Sequence, residues 1–190
     1  MVQKRNNIQL DIVSLLSGEE IHVRKIASKL NQPHVTISRR LKDLEQQNIV
    51  QYRTEGKNKI YSLKRNILAK KYLINSENHR LITTIEKYPF LEPVFTDILD
   101  ICDSPLIIMF GSFARHAATD DSDIDIYIET EDTRLKKRLE MIDSRLSIKT
   151  GVFDQSSLLV REIIKHHVIV RGAEIFYEKL DISKQAEKEP

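Results

Sequence analysis

Residues 106–128 read LIIMFGSFARHAATDDSDIDIYI and decide the fold of the C-terminal half. An apolar run ends at Gly111-Ser112, and a second one starts at Asp123-Ile124-Asp125 after ten intervening residues. This pattern predicts a strand, a tight turn, a short helix over about residues 113–118, and a second strand. Because side chains alternate along a strand, we expect Asp123 and Asp125 on one face, roughly 6.6 Å apart.

These residue types suit a bound polyphosphate. Two neighbouring carboxylates repel each other, and Mg²⁺ commonly joins one or two carboxylates to substrate phosphates. Gly111 lets the backbone approach a phosphate, and Ser112 offers a hydroxyl and an N–H where the helix begins. Arg115 has two interpretations: it donates to a triphosphate, or it pairs on the surface with Asp120 or Asp121.

Each feature alone has an ordinary explanation, since Gly-Ser often makes only a turn and Asp-x-Asp often lies on a solvated strand. Their combination between two apolar runs predicts a nucleotide-handling site. We expect Asp123 and Asp125 to act as metal ligands and catalytic acids, and Gly111, Ser112 and Arg115 to contact the nucleotide.

The motif resembles the signature of minimal nucleotidyltransferase domains in the DNA polymerase β-like nucleotidyltransferase superfamily. The matching residues are Gly111, Ser112, Ala114, Arg115, Ser122, Asp123, Ile124 and Asp125. The resemblance implies that Gly111 and Ser112 hold the β- and γ-phosphates of ATP or another NTP, and that Asp123 and Asp125 bind Mg²⁺. His116 stands where these domains usually have glycine. The resemblance extends to about Glu178, with Val168–Tyr177 as a terminal strand pair.

The third acid that the family normally has on a following strand is not found. The candidate strand, Leu146–Phe153, carries Ser147 and Lys149 but no carboxylate. This resembles a subset of these domains in which the third position is polar. Lys149 in that place removes a metal ligand and can act on substrate phosphate instead, so triphosphate binding is better supported than turnover.

The first 65 residues form a different, basic module. They hold 13 Lys and Arg against 6 Asp and Glu, whereas residues 66–190 hold 17 against 22. Apolar spacing predicts helices from Ile8, over Ile21–Leu30, and from Pro33 to about Gln46, with Val35 or Ile37 facing inward. Two strands around Gly56 follow. The charge asymmetry indicates an anionic partner.

This arrangement resembles the winged helix-turn-helix domain of bacterial and archaeal repressor-type regulators. The third helix is expected in the major groove of double-stranded DNA. The two strands around Gly56 form the wing, which is expected to contact phosphates or the minor groove. The predicted DNA-binding residues are His34, Thr36, Ser38, Arg39 and Arg40 on the helix, and Arg53, Lys57 and Lys59 on the wing. The alternative is a solvated helix face with a wing that docks proteins.

The predicted fold class is therefore α+β. We expect a winged helix-turn-helix over residues 1–64, a helical connector over 65–104, a nucleotidyltransferase-like mixed β-sheet backed by helices over 105–182, and a polar tail over 183–190. In the sheet domain, helices are predicted over Asp132–Ser144 and Ser156–Lys165, and strands over His166–Val170 and Glu174–Tyr177. No signal peptide or long apolar segment occurs, so the sequence predicts a cytoplasmic protein without membrane contact.

Two functions remain open. The first is a DNA-binding protein that binds Mg²⁺-NTP and transfers NMP to a hydroxyl acceptor, which by family analogy can be a partner protein encoded nearby. The second is a homodimeric transcription regulator whose weakened transferase fold serves as a nucleotide sensor or dimerisation module. An interaction scaffold that binds neither ligand is the third and weakest alternative.

Overall fold

The computed structural model describes residues 7–186, apart from the side chains of Thr133 and residues 181–186. The chain divides into two compact units, Met1–His79 and Arg80–Pro190. The predicted domain limits at residues 64 and 104 stay predictions. Within the described residues, no helix is both long and apolar enough to cross a membrane.

The first unit has the winged helix-turn-helix architecture. Its elements are α1 (Ile8–Gly18), β1 (Ile21–His22), α2 (Val23–Lys29), α3 (His34–Gln46), β2 (Val50–Glu55) and β3 (Asn58–Leu63). The three strands form an antiparallel sheet in the order β1-β3-β2. Gly56, at φ +59°, makes the turn between β2 and β3. The second helix starts later than predicted because Ile21 and His22 pair with Tyr61 and Ile60.

The core of this unit explains the faces of its helices. Of the two alternatives for α3, Ile37 is fully buried, whereas Val35 is 78% exposed. One apolar cluster joins the helices to the sheet through Ile12, Leu16, Ile26, Ile37, Leu41, Leu44, Ile49, Val50 and Tyr61. Because α3 buries Ile37, Leu41 and Leu44, its opposite face is left to solvent.

Helix α4 (Ile67–Lys87) contains the boundary between the units, and the second unit continues with eight elements and a final helix. They are α5 (Leu91–Ile101), β4 (Ile107–Met109), α6 (Gly111–Ala114), β5 (Ile124–Glu129), α7 (Thr133–Leu139), β6 (Leu146–Gly151), α8 (Leu158–Lys165), β7 (Val168–Arg171) and α9 (Ala173–Ala186). The sheet order is β6-β5-β4-β7. Strand β5 is parallel to β6, and β4 is antiparallel to both of its neighbours.

The sheet has two differently packed faces. One face, with Ile124, Ile126 and Ile128, joins the side chains of α5 in the main core. On the other face, Tyr127 packs edge-on against Phe153, which in turn packs against Phe176 of α9. On this second face, Asp125 and Ser147 remain partly exposed and Lys149 is exposed.

Several predicted elements were wrong in type or length. Glu174–Tyr177 is helical rather than a strand, because Gly172 at φ +92° turns the chain and the buried residues Ala173, Phe176 and Tyr177 follow helical spacing. Helix α9 also includes residues 183–186 of the predicted tail, and residues 187–190 lie outside the described part. Helices α6 and α7 are shorter than their predicted ranges of 113–118 and 132–144.

Candidate functional site

The glycine-serine bend and the second acid lie together. Strands β4 and β5 pair with Met109 opposite Ile126, and the Phe110 N–H donates to the Asp125 carbonyl at 2.9 Å. Gly111 has φ +73°, and a Cβ added there would lie 2.2 Å from Asp125 Oδ2. Glycine is therefore required at position 111 for two reasons. The backbone has a positive φ, and the Asp125 carboxylate occupies the space where a Cβ would lie.

A short helical turn follows the bend. The Ala117 N–H donates to the Ser112 carbonyl and the His116 N–H to the Phe113 carbonyl, both at 3.0 Å, which is the pattern of a Schellman cap. His116 takes the left-handed conformation of that cap, with φ +56°. His116, which stands where the family usually has glycine, therefore lies at the C-terminal end of α6 and not at its start.

Electrostatics at Asp125 favour a bound cation. Partial burial raises the pKa of the Asp125 carboxyl and the Asp123 charge raises it further, while a hydrogen bond from Ser147 lowers it. The charges of Lys149 and Arg115 also lower this pKa, so both cations act on the site. Asp123 is exposed just before β5. A divalent cation beside the two acids offsets both the burial and the repulsion.

Arg115 pairs with a residue that neither interpretation named, and its contact with a triphosphate stays a prediction. Its Nη1 lies 2.9 Å from Glu162 Oε1 of α8, and no ion pair with Asp120 or Asp121 forms in the described part of the chain. Both side chains of this pair are largely exposed, so the pair itself contributes at most about 1 kcal/mol. Arg115 can therefore exchange Glu162 for a phosphate at little cost.

The donor set suits Mg²⁺ completed by phosphates. Across residues 7–186, no group of three His, Cys, Asp or Glu side chains is placed to hold a metal ion. Two carboxylates beside a bend without a Cβ match a cation that keeps some waters and takes its remaining ligands from a nucleotide. A closed site made only of protein ligands does not fit.

The predicted DNA-binding residues of α3 lie mainly on its solvent face. His34 and Arg39 are exposed, and Thr36, Ser38 and Arg40 are partly buried. Ser38 Oγ lies 3.4 Å from His34 Nδ1, and Arg40 pairs with Asp43 at 3.5 Å. Arg39 makes no ion pair in the described part of the chain, so its guanidinium is available to a ligand.

Two of the three wing cations, Arg53 and Lys59, already have partners within the unit. Arg53 lies 3.2 Å from Glu20 and 3.0 Å from Glu55, and the Lys59 ammonium lies 3.6 Å from the centre of the Tyr52 ring. Lys57 is exposed in the hairpin turn. The sequence analysis considered cations alone and missed these partners. The alternation of β2, which places Arg53 and Glu55 on one face, could have revealed one of them.

Lys42 is a further cation that the sequence analysis missed. It is exposed on α3, three residues after Arg39, a spacing that puts both on one helix face. It also lines an open groove of about 580 Å³ between α3 and β3, together with Ser38, Glu45, Gln46, Lys59 and Tyr61.

Two family models match the chain, one in each unit. Residues 6–52 match the model described as "Bacterial regulatory protein, arsR family". Residues 100–181 match the model described as "Polymerase beta, Nucleotidyltransferase". The second match includes the bend, both acids and the strand that carries Ser147. No curated protein matches the chain.

Three of the solved structures similar to the chain are bacterial proteins described as regulators or repressors. The repressor BigR from Xylella fastidiosa is 24% identical over 36% of this chain and 67% of its own, with a TM-score of 0.34. The winged helix-turn-helix domain of a possible ArsR-family regulator from Mycobacterium bovis is 28% identical over 36% and 63%, with a TM-score of 0.33. The adhesin competence repressor AdcR from Streptococcus pyogenes is 24% identical over 47% and 67%, with a TM-score of 0.40.

Each of these alignments covers less than half of the chain, so the assignment rests on the family models. The winged helix-turn-helix fold and the mixed sheet agree with those models. The chain therefore combines an N-terminal region similar to the helix-turn-helix of ArsR-family regulators with a C-terminal region similar to the polymerase beta nucleotidyltransferases.

Proposed function

We propose that this protein is a DNA-binding regulator whose C-terminal domain binds a nucleoside triphosphate together with Mg²⁺. ATP is the expected nucleotide by family resemblance. The observation that carries the proposal is the contact between Gly111 and the Asp125 carboxylate, where even a methyl group would collide. Gly111 itself is buried, but Ser112 beside it and Asp125 stay partly exposed, so both can face the same phosphate and cation.

Each residue of the site has a distinct task in binding. The turn that Gly111 makes positions Ser112, which donates its hydroxyl and backbone N–H to phosphate oxygens. Asp123 and Asp125 hold Mg²⁺, which when bound neutralises polyphosphate charge. Ser147 pairs with Asp125 across β5 and β6 and offers its hydroxyl to that carboxylate. Arg115 adds a cation once it leaves Glu162.

Nucleotidyl transfer is a second candidate, supported by the polymerase beta family match and the two retained acids. In this reaction an acceptor hydroxyl oxygen forms a bond to the α-phosphorus, the bond to pyrophosphate breaks, and the hydroxyl proton passes to a base. Strand β6 has no carboxylate to take that proton. It offers the Ser147 hydroxyl and the Lys149 ammonium, and an ammonium is already protonated. We therefore expect slow transfer or none, and a sensor role for the bound nucleotide. A protein encoded nearby remains the candidate acceptor.

For the N-terminal unit, we propose that α3 enters the major groove, with Arg39 and Lys42 directed at the DNA. The relative from Mycobacterium bovis is described as homodimeric, and a two-fold dimer matches the two half-sites of a palindromic operator. We propose the same assembly here, with DNA affinity controlled by the bound nucleotide.

A thermal-shift titration with Mg²⁺ and each nucleoside triphosphate tests nucleotide binding, because a ligand of the folded state raises its apparent stability. We expect Mg²⁺-ATP to raise the Tm of the natural chain but not of Asp123→Asn or Asp125→Asn. Asp121→Asn, a change at an exposed acid of the same loop, serves as control and should keep the response. Label from α-labelled ATP in an added acceptor then distinguishes transfer from sensing. Identical responses in all four proteins would refute the proposed site.

A further inference from the structure

Strand β6 contributes a lysine to the candidate site. It runs parallel to β5 at the edge of the sheet, with Asp125 paired to Ser147 and Tyr127 paired to Lys149. Directly paired residues of neighbouring strands point to the same face. Ser147 and Lys149 therefore share the face of Asp125, and no carboxylate of β6 does.

The Lys149 ammonium is close enough to act at Asp125. Lys149 lies two residues along the sheet and one strand across from Asp125, so their Cα atoms are roughly 8 Å apart. The four-carbon stem of lysine can span this distance. The Lys149 charge also lowers the pKa of the Asp125 carboxyl, so its field reaches the site.

Lys149 is also available for a ligand. It is exposed, and it makes no ion pair with any residue that the structure describes. Lys179, by contrast, lies 3.0 Å from Glu129 of β5 and is already neutralised. Because β6 is the edge strand, the ammonium of Lys149 meets solvent or a ligand rather than packed chain.

The sheet order places this lysine opposite the bend. In the order β6-β5-β4, Asp125 lies on the middle strand, Ser112 follows β4, and Lys149 belongs to β6. A polyphosphate that crosses Asp125 therefore meets the Ser112 hydroxyl on one side and the Lys149 ammonium on the other. The described residues provide no third carboxylate to hold a second cation on that side.

We propose that the site holds one divalent cation, on Asp123 and Asp125, and that Lys149 binds nucleotide phosphate in the place of a second cation. This inference rests on the proposed nucleotide binding and goes beyond it, because it fixes the number of cations and names the group that replaces one. An ammonium provides charge but no open coordination position, so the nucleotide is held without a second activated ligand.

Titration with Mn²⁺, followed by electron paramagnetic resonance in the presence of a non-hydrolysable ATP analogue, tests this inference. We expect one Mn²⁺ per chain with bound nucleotide. Lys149→Gln should keep that stoichiometry and weaken nucleotide binding about tenfold. Lys137→Gln, which removes an exposed lysine of α7, is the matched control and should stay within about twofold of the natural chain. Lys149→Asp places a third carboxylate beside Asp125 and should raise the stoichiometry towards two.

Circular dichroism checks that the variants fold, which we expect because Lys149 is exposed. Two bound Mn²⁺ in the natural chain, or equal affinities for Lys149→Gln and Lys137→Gln, would overturn the role of Lys149 and leave the proposed nucleotide binding intact. A natural chain without any nucleotide-dependent Mn²⁺ binding would overturn both.

Discussion

The wing of the first unit and the bend of the second differ in how their charges are balanced. In the wing, Arg53 has two glutamates and Lys59 has an aromatic ring. At the bend, burial and the neighbouring Asp123 disfavour the charge of Asp125. Charges that the fold already balances need no ligand, whereas charges that it leaves unbalanced indicate where one binds. By this criterion the bend and Arg39 are better candidates than Arg53 and Lys59 of the wing.

The strongest test of this difference replaces one glycine in each unit. Gly111→Ala should abolish nucleotide binding, because the new Cβ lies 2.2 Å from the Asp125 carboxylate. Gly56→Ala in the wing has a similar positive φ of +59° but open space around it. It should therefore cost only the roughly 1–2 kcal/mol of a left-handed residue.

Isothermal titration calorimetry with Mg²⁺-ATP measures nucleotide binding by both variants, and chemical denaturation measures their free energies of unfolding. If Gly111→Ala binds nucleotide as the natural chain does, the close approach of the bend to Asp125 has no role in binding.

The next largest effect separates the recognition helix from the wing. Arg39→Ala should weaken specific DNA binding by about 1–3 kcal/mol, because it removes a cation without an ion-pair partner among the described residues. Arg53→Ala should cost less, since Arg53 must first leave Glu20 and Glu55. Fluorescence anisotropy at two salt concentrations measures both. A larger loss for Arg53→Ala than for Arg39→Ala would reverse our ranking of the two surfaces.

A smaller effect concerns the stability of the ligand-free chain. Asp125→Asn removes a charge that burial and Asp123 disfavour, and its amide oxygen can still accept from Ser147. We expect the Tm without nucleotide to rise by at least about 1 °C, although nucleotide binding is lost. Differential scanning calorimetry decides this. A Tm that falls by several degrees would show that the Asp125 carboxylate stabilises the fold.

The smallest predicted effect is a pH dependence at His116. Burial lowers the pKa of His116 from its ordinary value of 6.5, and the charges of Lys87 and Arg80 lower it further. The unfolded chain therefore takes up the proton first as pH falls. The contribution of His116 to stability is present above about pH 6.5 and is lost as pH falls from there through the pKa of the folded chain.

Urea unfolding between pH 7.5 and 5 measures this contribution when the natural chain is compared with His116→Asn, which keeps a residue tolerant of the left-handed conformation. The difference between the two proteins should shrink as pH falls. A difference that grows towards pH 5 would show that the folded chain favours the charged imidazole.

Local pattern was enough to predict most strands, the helices of the first unit and the residues around the bend. The alternation of side chains along the strand predicted that Ile124 and Ile126 face the core, and the positive charge of residues 1–65 distinguished the first unit from the rest of the chain. The strand predicted at Glu174–Tyr177 was wrong because a segment of four residues, three of them apolar, is too short to show a period. Its helical spacing becomes visible only when Ala173 is included.

Long-range pairing accounts for the rest. The register that places Ser147 beside Asp125, the pair between Arg115 and Glu162, and the pair between Arg53 and Glu20 join residues that are distant in sequence. No local period encodes such partners. They decide which predicted ligands are free, so a list of candidate residues from the sequence is broader than the set that the structure favours.

The most direct measurement of the central claim is a crystal structure of the chain with Mn²⁺ and a non-hydrolysable ATP analogue, read by anomalous scattering. We expect a Mn²⁺ peak between Asp123 and Asp125, with nucleotide phosphates against the backbone of Gly111 and Ser112. Nucleotide bound elsewhere, or an empty bend at saturating analogue, would contradict it.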